Sequence, residues 1–300
     1  MNNLLPFEWI AASRFLREGR MQTISTLLGI GIGVGVIIFM SAALSGQMAN
    51  ITRRVLSAQA HIVLVPAQEV ARPLRGPEFD PGVAQAALVQ KPFQRVRSID
   101  QWQRIASEVA AMPAVTAVSP MAAGSVLAVR GEATRSVSIQ GVDAQRYFSI
   151  VPLPEKIVAG LPRLGAEDII IGADLATDLG VRVGDKLRVA AASGRGPTLT
   201  VSGIVDLGSK GANQRATYCA LHTAQALLGL IGGVSSIDIT VRDIYAAEHV
   251  AQRITALTGV QADSWIKTNS QLYLAINAQR IANTTIRFFV GLAIAFGIAA

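Results

Sequence analysis

Apolar and polar positions alternate by different rules in different parts of this chain. Thr23 to Leu44, TISTLLGIGIGVGVIIFMSAAL, runs 22 residues without a charge, and no charged residue stands between Arg20 and Arg53. At about 1.5 Å of rise per residue this is about 33 Å of helix, enough for a hydrocarbon core of about 30 Å. A secretory leader has an apolar region of only about 7–15 residues, so the run predicts a retained transmembrane helix over 22–45. The chain closes on a second apolar run. Phe288 to Ala300 is 13 residues without a charge, about two thirds of a crossing. It predicts the start of a second span over 284–300.

Between the runs the pattern shortens to strand and helix periods. HIVLVPA (61–67) reads as a strand ended by proline. Arg72 to Pro92 holds four prolines and reads as a connector. SIDQWQRIASEVAAMP predicts a helix starting at Ser98 or Asp100, with Ile105, Val109 and Met112 on its apolar face and Pro113 as its stop. AVTAVSPMAAGSVLAV follows as strand. The same order returns later: SSIDITV alternates, Ile244–Gly259 is helical with a glycine end, and VQADSW is strand. Two β-α-β units so far apart predict one α+β lobe built from both ends, about 46–123 plus 210–267. The stretch between them, about 124–209, is rich in short strands (RSVSIQGVD, DIIIG, VRVGDKLRVAA, GPTLTVSGIVD) with one short helix, ADLATDL, closed by Gly180. The predicted fold is therefore α+β: a two-lobed extracytoplasmic domain over 46–283, with an inserted β-rich lobe, between two transmembrane helices.

Composition agrees with membrane segments. The chain is 51% apolar, 16% charged and 5% aromatic, with a net charge of +7, richer in apolar residues than an ordinary soluble domain. The basic residues are scattered and are not interleaved with aromatics, which argues against nucleic acid. In the leader PFEWIAASRFLREGR, Arg14, Arg17 and Arg20 share one helical arc and Trp9, Phe15 and Leu16 the other. This predicts an interfacial helix over 1–21, and three Arg beside the span place the N-terminus in the cytoplasm. Gly29, Gly31, Gly33 and Gly35 form two overlapping small-xxx-small pairs, which let another helix approach closely in lipid.

Catalytic chemistry is not signalled. His61, His222 and His249 lack ligand spacing, Cys219 is the only cysteine, and no GxSxG elbow or phosphate-binding GxxxxGK[ST] loop occurs. No catalytic, cofactor or metal residue is predicted. Thr268 and Gln271 have capping-box spacing and predict a stalk helix from about Asn269 to 283, continuing into the second span.

Three segments together resemble a known family. ASRFLREGRMQTISTLLGIGIGVGVIIFMSAALSG is similar to the basic lead-in and first span of MacB-, LolC/LolE- and FtsX-like ABC transporter permeases. DIIIGADLATDLGVRVGDKLRV resembles their periplasmic core signature at Gly172, Leu175, Ala176, Leu179, Gly180, Val183, Gly184 and Asp185. SWIKTNSQLYLAINAQR resembles the approach to their second span through Trp265, Asn269 and Leu272. Where relatives carry an acidic residue near its end, this chain has Gln279-Arg280. The resemblance implies an inner-membrane permease of four spans, represented here as far as the second, with a large periplasmic domain and no ATPase of its own. It implies a cytoplasmic ABC ATPase, a second permease subunit, and a periplasmic adaptor or carrier as partners, with membrane lipid around the spans. Cargo would be lipoproteins, lipids or peptides, and motion would pass through Trp265, Thr268, Asn269, Gln271 and Leu272. A sensor with an extracytoplasmic domain between two spans is the competing class; two further spans downstream, or a signalling helix, would separate them.

Overall fold

The computed structural model describes residues 14, 20–56, 59–66, 98–191 and 194–299. The connector expected over Arg72–Pro92, and all of the interfacial helix expected over 1–21 except Arg14 and the residues from Arg20 on, lie outside them. The chain divides into two units, Met1–Val55 with Gln271–Ala300, and Leu56–Ser270.

The first unit is helical. Helix α1 (Arg20–Leu56) has 37 residues, and a 30-residue helix, Ser270–Ala299, supplies the C-terminal part. Asn283 Nδ2 donates to Ser45 Oγ at 3.0 Å and joins the two. Ile24, Leu28, Ile32, Val36, Ile38 and Phe39 on α1, and Leu274, Ile281, Phe288 and Phe289 on the later helix, are exposed. Among the described residues no helix is long and apolar enough to cross a membrane, so the spans expected at 22–45 and from 284 rest on the sequence alone.

The second unit begins with β1 (Ile62–Val65), α2 (Trp102–Ala110), β2 (Val115–Arg130), β3 (Ala133–Val142) and α3 (Ala144–Phe148). It continues through β4 (Ile157–Gly160), β5 (Asp168–Gly172), α4 (Ala173–Leu179), β6 (Lys186–Ala190), β7 (Thr198–Val205), α5 (Lys210–Asn213), β8 (Ala216–Ala220) and α6 (Leu221–Leu228). It ends with β9 (Ser236–Val241), α7 (Ala247–Thr258), β10 (Gln261–Ser264) and α8 (Trp265–Thr268), after which α9 (Ser270–Ala299) leaves it.

Its sheet has two regions that share β2. In the first, the order β10-β1-β9-β2 is antiparallel throughout. With α2 after β1 and α7 after β9, this is the β-α-β-β-α-β arrangement of ferredoxin-like folds, with everything from β3 to α6 inserted between its second and third strands. Ile62 faces Ile239 and Leu64 faces Ile237 across β1–β9, and all four are fully buried. Ile105, Ala106 and Val109 of α2 and Ala247, Ala251 and Ile254 of α7 supply the apolar cover. Each large aliphatic so buried is worth about 1.5–3 kcal/mol.

In the second region β2 pairs with β3, β3 with β8, β8 with β5, β5 with β7, β7 with β6, and β6 with β2 again. The ring is closed, which leaves its strands no free edge along that path. Ile169, Leu187, Val189 and Val201 are fully buried, with Ile139 of β3 and Cys219 of β8 likewise. Strand β8 lies within 210–267, yet it pairs between β3 and β5. β2 reaches both regions because it is 16 residues long: Met121–Ser236 is its last pair with β9, and Leu127–Ala190 begins its pairing with β6.

Local starts and stops differ from expectation in two places. Helix α2 begins after Gln101, held left-handed at φ 52°, because Ser98 Oγ is engaged with Asp100 Oδ1 at 2.8 Å and does not cap the helix. The capping box expected at Thr268 and Gln271 does not form. Thr268 Oγ1 donates back to the carbonyls of Ser264 and Trp265. The cap is Ser264, whose Oγ accepts from the Lys267 amide and starts α8; the chain bends at Asn269 and α9 begins at Ser270.

Candidate functional site

The expected residues fall in three places. Gly29, Gly31, Gly33 and Gly35 lie in α1, and a Cβ at any of them would meet nothing within 4 Å; no described residue of the chain packs on them. Arg14 is helical and exposed, while Arg17 and the side chain of Arg20 lie outside the described residues. Gln271 is exposed and Leu272 half-buried on α9. The other three, Trp265, Thr268 and Asn269, are brought together around a cavity.

That cavity, about 290 Å³, is built on the sheet face opposite Ile62 and Leu64. Because strands place successive side chains on opposite faces, the register sets Asp263, Val63, Asp238 and Ser119 in one row across β10, β1, β9 and β2. Asp263, Val63 and Asp238 line the cavity. Tyr147, Val151, Met121, Gln59, Ala60, Trp265, Thr268 and Asn269 complete its lining. Asp143 holds α3 in place by accepting from the amides of Gln145 and Arg146, and α3 carries Tyr147. Trp265 is fixed by its Nε1–H donating to the Ile244 carbonyl at 2.6 Å and by edge contact with Tyr245. Tyr147 packs against Tyr218, centroids 6.0 Å apart, and donates to Gln140 Oε1.

The electrostatics are uneven. Asp263 binds Lys267 Nζ at 2.6 Å, and that hydrogen bond lowers the carboxyl and raises the ammonium. Asp238 is 7% exposed and accepts no hydrogen bond from any described residue. Burial pushes its carboxyl up to about 7. Burial, then Tyr218, then Asp238 raise Tyr147, and burial raises Tyr218. Beside Asp238, Ser119 Oγ is buried without a partner, as is Gln59 Nε2. Nothing in this set is a nucleophile in contact with a base. Among the described residues no group of three or more His, Cys, Asp or Glu is placed to hold a metal. Asp238, Tyr147 and Gln59 were not singled out from sequence: Asp238 sits at an alternating position of SSIDITV that reads as solvent-facing, and the residues that share its cavity come from segments distant in sequence.

Most of the periplasmic-signature residues serve the local fold, while Val183 is exposed. Leu175, Ala176 and Leu179 are the buried stripe of α4. Gly180 caps it at φ 62° and Gly184 turns at φ 92°. Asp185 accepts from the Arg182 amide at 2.9 Å and pairs with Arg130 at 3.0 Å.

A family model described as the MacB-like periplasmic core domain matches residues 23–257. The lipoprotein-releasing system transmembrane protein LolC of Xylella fastidiosa strain Temecula1 is 24% identical, over 95% of this chain and 66% of that protein. LolC of strain 9a5c matches to the same extent. The chain thus spans about two thirds of the length of these curated relatives. Among solved structures, the periplasmic region of MacB from Actinobacillus actinomycetemcomitans is 13% identical with a TM-score of 0.47, covering 74% of this chain and 95% of that one. The extracellular domain of the noncanonic ABC-type transporter YknZ from Gram-positive bacteria is 13% identical with a TM-score of 0.45, covering 69% and 98%.

Proposed function

The chain belongs to the MacB-like periplasmic core domain family, and on that premise we propose that it works as the permease subunit of an ABC transporter. In this reading Leu56–Ser270 stands in the periplasm, α1 and the apolar end of α9 lie in the inner membrane, and the N-terminus is cytoplasmic. A separate cytoplasmic ATPase supplies the energy. A second permease subunit packs on the Gly29/Gly33 or Gly31/Gly35 face, and α9 carries the motion outward from the membrane to release lipoproteins, lipids or peptides, with an adaptor or carrier receiving them.

The family match over 23–257 carries this reading. The exposed apolar side chains of α1 support it: Ile24, Leu28, Ile32 and Phe39 are all more than half exposed in the single chain. Apolar surface of that extent marks a membrane or partner contact. The uncharged stretch is long enough to span, and open glycines suit close helix approach.

Reconstitution tests it. The whole protein, purified with its partner ATPase, is placed in liposomes loaded with a fluorescent lipoprotein. ATP-dependent transfer of the lipoprotein to a soluble acceptor is the expected result. ATP turnover that never moves lipoprotein, lipid or peptide would reject the transport role.

A further inference from the structure

We propose that the cavity around Asp238 is a binding site for a small organic cation, an ammonium or guanidinium head on a short apolar stem. This goes beyond the permease reading and does not depend on it. Among the described residues the wall contains two carboxylates and no Lys or Arg, in a chain whose net charge is +7. One of the two, Asp263, is already neutralised by Lys267. Asp238 is not. Its carboxylate is more than nine-tenths buried, lines the cavity and accepts no hydrogen bond from a described residue. Holding a carboxylate at such burial without a partner is costly; Ser119 Oγ, on its cross-strand neighbour, and Gln59 Nε2, on the cavity wall, are buried without a partner. A charged donor would satisfy the carboxylate with a strong, short hydrogen bond.

The remaining wall sorts the ligand further. Trp265 and Tyr147 are among the lining residues, and aromatic rings attract a cation that reaches their faces. Ala60, Val63, Met121 and Val151 suit a few methylene groups. At about 290 Å³ the space lies at the lower end for ligand pockets, so it takes one head and a short stem, and not a peptide backbone. An anion or a carboxylic acid would meet Asp238 without a counter-charge.

Binding needs Asp238 ionised, so affinity should rise with pH. Of the titratable groups, Tyr147 on α3 and Asp263 on β10 share the cavity with it; Tyr218 on β8 packs on Tyr147, and Lys267 on α8 pairs with Asp263. Both tyrosines are raised and Asp263 is lowered, which leaves Asp238 to titrate near neutrality.

The test uses the full chain in lipid nanodiscs and follows the Trp265 indole N–H resonance, assigned by its loss in Trp265→Phe. Butylguanidinium and butylammonium should shift it saturably, whereas butanol and butyrate should not. From about pH 6 to about pH 8 the cation affinity should rise about tenfold as the carboxylate ionises. Asp238→Asn should lower affinity at least about tenfold and abolish the pH dependence, with its thermal transition retained. Ala60→Leu, which fills the rim and keeps Asp238, should lose the shift as well. Equal shifts with butanol, no saturation with either cation, or unchanged binding in Asp238→Asn would overturn the proposal. A capped Ala-Arg-Ala peptide binding more tightly than butylguanidinium would overturn the small-molecule assignment.

Discussion

Gly172 opens α4 with an ordinary backbone φ of −69°, so what it supplies is room. A Cβ there would collide with the backbone carbonyl of Asn213, whose side chain accepts from the Leu207 amide and donates to Asp206. Gly172→Ala should therefore destabilise the β-ring by about 1–3 kcal/mol or more, as overpacking does, read as a lower urea midpoint. Asp238 gives the opposite sign. Its folded carboxyl is raised from an ordinary value near 3.8 to about 7, so the folded state holds the proton longer than the unfolded chain. Its stability contribution is whole below about pH 4 and is lost as pH rises toward 7. Asp238→Asn removes that loss. It should raise unfolding stability at about pH 8.5 by up to roughly 4 kcal/mol and leave it nearly unchanged at about pH 4, checked by paired denaturation curves. A stabilising substitution at this position is what a group kept for binding predicts.

At the scale of elements, α9 is 30 residues without a break, and its first turn is not set by Thr268. A proline at Ala278, exposed in that helix, would remove one backbone hydrogen bond and crowd the preceding turn, costing about 3 kcal/mol or more. In the whole protein with its ATPase, Ala278→Pro should leave expression and ATP hydrolysis largely intact and abolish cargo movement. Wild-type transport in a correctly folded variant would rule out a rigid link. In α1, Gly→Leu at 29, 31, 33 or 35 should spare insertion, since leucine favours it, and disrupt subunit pairing; pairing that survives leucine at all four, seen by crosslinking, would remove these glycines from the interface. β1 was legible as an apolar run ended by proline, β9 because its residues alternate, α7 because it closes on Gly259, and β10 as the strand that completes the second β-α-β order. β4, α3, β8 and α6 were not. ATYCA and LHTAQALL are short, β8 is buried on both faces, and neither segment carries a period that distinguishes strand from helix. The closed ring was also hidden, because it depends on β2–β6 pairing between residues 127–129 and 188–190, which no local pattern encodes. Of the cavity, Trp265 and Asn269 were visible through their resemblance to a family segment and Thr268 through its spacing from Gln271, and Asp238 was not.

For the molecule as a whole, the permease proposal joins an α+β domain, a ferredoxin-like sheet continued into a β-ring, to helices α1 and α9, whose exposed apolar side chains it assigns to the membrane. Its central claim is that this domain and the N-terminus lie on opposite sides of that membrane. Cys219 need not be replaced to test this, since it is fully buried and burial pushes its thiol up to about 12, where it stays protonated and unreactive. Glu132, in the exposed turn between β2 and β3, and Asn3 are changed singly to cysteine, and intact cells are treated with a membrane-impermeant thiol reagent. The account predicts that Glu132→Cys is labelled in intact cells and Asn3→Cys only after the inner membrane is opened; equal labelling of the two in intact cells would contradict it.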